Sequence, residues 1–112
     1  MNHVDNIVYT VRDLDAAKAV HTALLGVEPH TDKPYYVGFT VDGFEIALAP
    51  QRSDEPVGPV AHVRVADLDA ALAEVQKAGA TLVSEPRDVG GGARVATVAD
   101  PDGTVLGLVH RA

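Results

Sequence analysis

Two short stretches of this sequence, far apart in the chain, are nearly identical. Val11–Ala17 reads VRDLDAA and Val65–Ala71 reads VADLDAA, so six of the seven positions match. Such self-similarity indicates an internal duplication in which each copy forms the same supersecondary unit. The likeness continues downstream, because Gly43–Ala49 resembles Gly103–Val109 in its pattern of small and apolar residues. The order of elements around the repeat therefore decides the fold.

The duplication divides the 112 residues into two modules. Module one covers 1–50 and module two covers 57–112, and the segment 51–56 between them is polar, charged and ends in proline, as a linker should. The length predicts one domain. An apolar content of 46% and a charged content of 22% are typical of globular proteins. The absence of cysteine excludes disulfides, thiolate nucleophiles and cysteine metal sites.

Each copy of the repeat marks the passage from a strand to a helix. Ile7–Val11 is a β-branched run that predicts a strand, and Asp13 then occupies the N-cap position of a helix. Gly26 can adopt the left-handed conformation that ends a helix. The apolar residues between them that recur at helical spacing are Leu14, Ala17, Val20 and Leu24.

The remainder of module one predicts strands. Tyr35–Val41 alternates, Asp42-Gly43 is a strong signal for a tight hairpin turn, and Phe44–Ala49 forms the return strand. A weaker strand is expected near Val27–Thr31.

Module two repeats this order around the turn Asp100–Gly103. Its predicted elements are strand Val60–Val65, helix Leu68–Ala78, and strands Thr81–Val83, Ala93–Ala99 and Thr104–Val109. Two βαβββ modules predict an α+β fold with a cupped mixed sheet and helices on its outer face. The inner face of the cup is then a natural ligand cavity. Gly90–Gly92 predicts a hairpin or a lid at the mouth of this cup.

The charge balance narrows the choice of partners. There are 16 acidic and 9 basic residues, so the net charge is −7, which disfavours binding to nucleic acid or to an anionic membrane. The apolar runs are too short to cross a bilayer. Met1–Asp5 lacks the basic start of a signal peptide, and we therefore expect a cytoplasmic location.

Four features taken together resemble one family. They are the two βαβββ halves, the sequence V-x-D-L-D that opens each helix, A-L-L-G at the end of the first helix, and D-P-D-G before the last strand. In this combination they resemble the vicinal oxygen chelate superfamily, also called the glyoxalase/bleomycin-resistance/dioxygenase superfamily, over essentially the whole chain. The resemblance implies the fold and a cup-shaped site. It implies no single reaction, because members include lyases, isomerases, dioxygenases, antibiotic-modifying enzymes and drug-binding proteins.

The resemblance also fixes where metal-dependent members hold their ion. The ligand positions on the first strand of each half correspond to Asn6 and Val60, and those on the last strand to Ala47 and Gly107. Three of these four residues have no side-chain donor atom. We therefore expect no metal and no other cofactor.

Side chains on the same strand face as these positions should line the cup, since alternate residues of a strand point to opposite faces. Glu45 and His62 are the candidate acid/base pair, and Arg64 is the candidate anchor for an anionic group. The alternative for these charged residues is an ion pair that orders the cavity floor. At least one of Tyr35 and Tyr36 should also face the cup. The predicted ligand-binding residues are Asn6, Val8, Thr10, Tyr35, Tyr36, Ala47, Val60, Arg64, Val105 and Gly107.

The other histidines carry weaker signals. His21 is expected to be a half-exposed helix residue. His3, His30 and His110 lie near the termini or in a loop and are expected at the surface.

Two classes of function remain open. The first is a protein without metal that binds a small organic molecule, such as an antibiotic or a toxic metabolite, in the cup. The second is a metal-independent isomerase or lyase that uses Glu45 and His62. A metal-dependent glyoxalase-like lyase or dioxygenase ranks third. The resemblance further implies a homodimer, which would cover open sheet edges.

Overall fold

The computed structural model describes residues 1–52 and 57–112. Residues 53–56, in the predicted linker, lie outside the described residues. The fold is α+β and consists of two βαβββ modules, as the sequence predicts. It divides into two compact units: the first unit is Asn6–Val60, and the second unit is Met1–Asp5 together with Ala61–Ala112.

The helices and strands have the following bounds. Module one contains β1 (His3–Val11), α1 (Leu14–Leu25), β2 (Thr31–Lys33), β3 (Tyr36–Val41) and β4 (Phe44–Pro50). Module two contains β5 (Gly58–Arg64), α2 (Leu68–Lys77), β6 (Thr81–Gly90), β7 (Ala93–Ala99) and β8 (Val105–Arg111). Neither described helix, at 12 and 10 residues, is long and apolar enough to span a membrane.

The strands of the first unit follow the order β2-β3-β4-β1. β1 runs parallel to β4, whereas β2, β3 and β4 are antiparallel neighbours. The β3–β4 connection is the predicted tight turn, because Asp42 and Gly43 both have positive φ, at 50° and 79°. That pair of conformations matches the twist of antiparallel strands.

α1 begins after its N-cap residue, Asp13, and ends before its C-cap residue, Gly26. The Asp13 carboxylate accepts a hydrogen bond from the Ala16 backbone N–H at 3.0 Å, which satisfies a donor that has no partner within the helix. At the other end Gly26 is left-handed at φ 73°, and its N–H donates to the Thr22 carbonyl. Both predicted helix boundaries are confirmed.

α1 covers one face of the first unit's sheet. Val37, Phe39 and Leu48 are buried at the centre of this contact. The partly buried residues packed against them are Tyr9, Leu14, Ala17 and Leu25. Since strand residues alternate, the residues between these core positions lie on the opposite face, which we call the far face of the unit.

The second unit repeats the arrangement. Its strand order is β5-β8-β7-β6, with β5 parallel to β8 and antiparallel pairing elsewhere. The Asp67 carboxylate caps α2 through the Ala70 N–H at 3.0 Å. The core between α2 and the sheet consists of Val65, Leu68, Leu72, Ala96, Val98 and Leu108. The face away from α2 is the far face of this unit.

Several strands differ from their predicted bounds; for example, β1 begins at His3 and not at Ile7, and β8 continues to Arg111. The differences are largest for β2 and β6. The strand expected near Val27–Thr31 lies at Thr31–Lys33. Its polar residues give no strand signal, and its position is set by its hydrogen bonds to β3. The strand expected over Thr81–Val83 continues to Gly90, with register shifts against β7. An edge strand tolerates register shifts and a proline. Because such a strand need not alternate apolar and polar residues, its full length is not visible in the sequence.

Candidate functional site

Corresponding rows of residues cross the far faces of the two units. In the first unit the Cα partners from β1 to β2 are Val8, Ala47, Gly38 and Thr31. In the second unit the Cα partners from β5 to β6 are His62, Gly107, Thr97 and Ser84. Ala47 and Gly107 therefore occupy equivalent places, which agrees with the repeat in the sequence.

A polar cluster surrounds Glu45 on the far face of the first unit. Its Oε1 lies 2.8 Å from Nε2 of His30 and accepts a hydrogen bond from Thr40 Oγ1 at 3.3 Å. Its Oε2 accepts a short hydrogen bond from the Tyr36 hydroxyl. Thr31 extends the chain of bonds, because its hydroxyl lies 2.8 Å from Nδ1 of His30. We call these five residues the Glu45 cluster.

Gly38 provides the space in which this cluster assembles. A Cβ at position 38 would lie 2.7 Å from Tyr36 Cε2 and 2.8 Å from both Glu45 Oε2 and His30 Cε1. Any side chain would therefore displace part of the cluster. The His30 backbone N–H donates to the Gly38 carbonyl at 2.8 Å, which continues the β2–β3 pairing by one residue and brings the imidazole beside Glu45.

In the second unit the buried His62 ring lies beside Gly107, which is the equivalent of Ala47. A Cβ on Gly107 would lie 2.4 Å from Cδ2 of His62, so the imidazole fills the space above this glycine. Along the same row, Ser84 and Thr97 share a hydrogen bond of 2.7 Å between their hydroxyls. The Arg87 guanidinium donates to Ser84 Oγ at 3.4 Å. The row is polar but less exposed than the Glu45 cluster.

The predicted anion anchor, Arg64, lies near a carboxylate of its own chain. Its guanidinium is 4.0 Å from Asp5, whose side chain is only 13% exposed. Asp5 is held more closely by Arg111, which donates from Nη2 at 2.7 Å and from Nε at 3.2 Å. The charge of Arg64 is therefore partly balanced within the second unit.

The predicted site residues are divided between the two units. Glu45 belongs to the first unit and His62 to the second, so their assignment as an acid/base pair stays a prediction. Of the two tyrosines, Tyr36 carries a far-face hydroxyl in the Glu45 cluster, whereas Tyr35 precedes the strand and is 70% exposed. Thr10 is buried and donates to the Gly58 carbonyl at 3.2 Å.

Sequence reasoning missed the role of His30. The imidazole is exposed at the surface, as expected, yet it contacts Glu45 from 15 residues away in the chain. No periodic signal marks His30, since it precedes a three-residue strand of polar composition. The register of β2 on β3 brings it into place.

His21, in α1, is half-buried as expected. Its ring packs against the Tyr9 ring, with the two ring centroids 4.8 Å apart.

The residues predicted to correspond to the family's metal positions do not fit a divalent ion. Asn6 contributes an amide, while Ala47, Val60 and Gly107 contribute no donor atom, and the space above Gly107 is taken by the His62 ring. Within residues 1–52 and 57–112, no three His, Cys, Asp or Glu side chains are grouped so that they could hold a metal. No step of the chemistry can therefore be assigned to a metal at these positions.

The repeat and the topology agree with a direct comparison of the sequence with protein families. Residues 2–108 match the Glyoxalase/Bleomycin resistance protein/Dioxygenase superfamily. The chain belongs to this superfamily. No curated protein matches it significantly.

Solved structures share the fold at low identity. A superfamily member from Vibrio splendidus 12B01 is 17% identical, with a TM-score of 0.70 over 98% of this chain and 99% of that one. A single-residue variant of the methylmalonyl-CoA epimerase from Streptomyces coelicolor, in complex with 2-nitronate-propionyl-CoA, is 24% identical, with a TM-score of 0.69 over 100% and 99%. A structure described as an NAD-dependent benzaldehyde dehydrogenase from Legionella pneumophila is 18% identical, with a TM-score of 0.74 over 95% and 97%.

Proposed function

We propose that this protein binds a small organic molecule on the far faces of its sheets, the surface predicted to line the cup, and does so without a metal. Antibiotics and toxic metabolites are the ligand classes. The observation that carries the proposal is the residue set at the four family positions, which supplies one amide and no imidazole or carboxylate. A divalent ion needs several such ligands at once.

The polar groups of the far faces support the same proposal. The Glu45 cluster and the Ser84–Thr97 pair offer fixed hydrogen-bonding groups beside small or apolar residues such as Ala47 and Gly107. A few placed polar groups on an apolar surface are typical of sites for organic ligands.

The test compares metals with organic compounds on protein purified without a His tag. Metal content is measured first, and thermal unfolding is then followed with Ni²⁺, Zn²⁺, Co²⁺, Mn²⁺ and Fe²⁺, and separately in EDTA with a panel of antibiotics and metabolites. We expect no stoichiometric metal, no saturable metal-induced shift, and a saturable rise in melting temperature with at least one organic compound. Stoichiometric metal with strong stabilisation, or a panel that gives no shift, would contradict the proposal.

A metal-independent isomerase or lyase is the second candidate. Three hydrogen bonds orient the Glu45 carboxylate while its side chain stays 25% exposed, an arrangement suited to proton abstraction from a bound substrate. A compound from the binding screen would be incubated in D₂O and followed by NMR. Deuterium uptake or conversion that is abolished in Glu45→Gln and His62→Ala, with binding retained, would support catalysis. Unchanged turnover, or equal loss of binding, would count against it.

The proposed assembly is a homodimer. Val20 and Leu24, one helical turn apart on α1, are 64% and 77% exposed, and neighbouring exposed apolar side chains favour association. Size-exclusion chromatography with light scattering checks this assembly. A mass of one chain at every concentration would contradict it.

A further inference from the structure

When the His30 imidazole is neutral, each polar side-chain hydrogen of the Glu45 cluster is donated to another member of the cluster. Tyr36 and Thr40 donate their hydroxyl hydrogens to the Glu45 carboxylate. The carboxylate can only accept, so the nearby Nε2 of His30 carries a hydrogen and donates as well. In the neutral imidazole this leaves Nδ1 as an acceptor, and the Thr31 hydroxyl donates to it.

The atoms of the cluster that remain available to a ligand are hydrogen-bond acceptors. A carboxylate has about four lone-pair positions, of which the cluster occupies three. The Thr40 hydroxyl oxygen can also accept, because its hydrogen is donated to Glu45. The Glu45 side chain is 25% exposed and that of His30 is 43% exposed, so a ligand can reach the cluster.

We propose that the Glu45 cluster is a recognition site for the amidinium, guanidinium or ammonium group of an organic cation. The proposal rests on the proposed binding function and names its ligand class. Groups of this kind carry only donors, and they complement a cluster that offers only acceptors and a negative charge. The net charge of −7 adds a long-range attraction for cations.

Tyr36, His30 and Thr40 act as positioning residues for the carboxylate. They fix both oxygens before a ligand arrives, so little side-chain entropy is lost on binding. Gly38 permits this arrangement, because a methyl group at this position would overlap three members of the cluster. The site is thus defined by one charged group, three donors that hold it, and one residue that must lack a side chain.

Three probes of nearly the same shape test the charge preference. Benzamidinium carries donors and a positive charge, benzamide is neutral, and benzoate carries acceptors and a negative charge. Binding would be followed by titration of ¹H–¹⁵N correlation spectra of the wild-type protein in EDTA. We expect benzamidinium to bind with a dissociation constant on the order of 1 mM, benzamide more weakly and benzoate not measurably. The strongest shifts should lie at Tyr36, Gly38 and Glu45.

Two variants separate recognition by the cluster from general attraction to an acidic protein. Glu45→Gln removes the charge in an isosteric group, and we expect it to weaken benzamidinium about tenfold or more. Glu74→Gln on the exposed surface of α2 removes the same charge elsewhere and should leave the affinity unchanged. A third variant, Gly38→Ala, keeps every group of the cluster but disturbs its geometry, and it should also weaken benzamidinium.

The outcomes are distinct. Equal affinity for the three probes, unchanged affinity in Glu45→Gln, an equal loss in Glu74→Gln, or no binding of any probe would overturn the inference. If compounds from the organic panel bind wild type and Glu45→Gln equally well, the cation site fails while the proposed binding function stands. If no compound binds in EDTA, both fail. Spectra of each variant report directly whether it is folded.

Discussion

The imidazole of His62 lies over Gly107, its Cα partner on the neighbouring parallel strand. A Cβ on Gly107 would come within 2.4 Å of Cδ2 and 2.8 Å of Cγ and Nε2 of the ring. His62 is only 8% exposed, so the ring has little room to move away. The glycine at position 107 is therefore part of the packing of a buried histidine.

Gly107→Ala should destabilise the protein by about 1–3 kcal/mol, the usual cost of overpacking a filled interior. This runs against the ordinary expectation for a strand, in which alanine is more favourable than glycine. Urea unfolding followed by circular dichroism measures the difference. Stability equal to or above that of wild type would show that the His62 ring can move away from the added methyl group at little cost in free energy.

The coupling between the two residues has its own test. In the double variant His62→Ala/Gly107→Ala the added methyl group has space, so the glycine substitution should cost much less than it does beside the histidine. A double-mutant cycle gives the interaction energy, which we expect to exceed about 0.5 kcal/mol. Additive effects would mean that the contact does not determine the cost.

The core beneath α1 depends on Phe39, which is fully buried. Phe39→Ala should lower the free energy of unfolding by about 3–5 kcal/mol, because it removes a large apolar side chain and leaves a cavity. Phe44, at the start of β4, is only partly buried and serves as the matched control. A smaller loss for Phe39→Ala than for Phe44→Ala would contradict the assigned core.

The N-cap of α2 should be worth about 1 kcal/mol. Asp67→Ala removes the acceptor of the Ala70 N–H, whereas Asp67→Ser retains one. Chemical denaturation should therefore rank the variants wild type, Ser, Ala in order of decreasing stability. Equal stability of Asp67→Ala and wild type would rule out a contribution from the cap.

The ion pair between Asp5 and Arg111 should contribute more than an exposed surface pair. Asp5 is 13% exposed and accepts two donors of one guanidinium, which is the geometry of strong pairs. We expect Asp5→Ala to cost about 1 kcal/mol, with part of the loss removed at high salt. Salt-independent stability differences would point to lost packing instead.

The stabilisation that the Lys18–Asp32 ion pair contributes depends on pH. The hydrogen bond from Lys18 to Asp32, 2.5 Å long, raises the pKa of Lys18 above its ordinary value of 10.5, and burial opposes this only in part. A cation with a raised pKa adds its stabilisation below its ordinary pKa and loses it as the pH rises through the folded value. Lys18→Met should therefore differ from wild type by a small, constant amount near neutral pH. A difference in melting temperature that changed between about pH 6 and 9 would contradict this.

The candidate site was only partly predictable. Glu45 follows from strand alternation, because neighbouring positions on a strand face opposite sides. Alternation also places one of Tyr35 and Tyr36 on this face but does not say which, and the structure shows that it is Tyr36. His30 does not follow, since it precedes a short edge strand whose register depends on hydrogen bonds to β3. The length of β6 was missed for the same reason: its irregular pairing with β7 extends it beyond the predicted Thr81–Val83.

Several features can be recognised from the sequence alone: the duplication, the βαβββ order, the helix caps at Asp13 and Asp67, and the tight turn at Asp42-Gly43. These features depend on local conformation or on residue type alone. The groups that surround Glu45, and the His62 ring in the space above Gly107, can be recognised only in the folded chain. Those contacts depend on strand register, which is set by hydrogen bonds between residues distant in the chain.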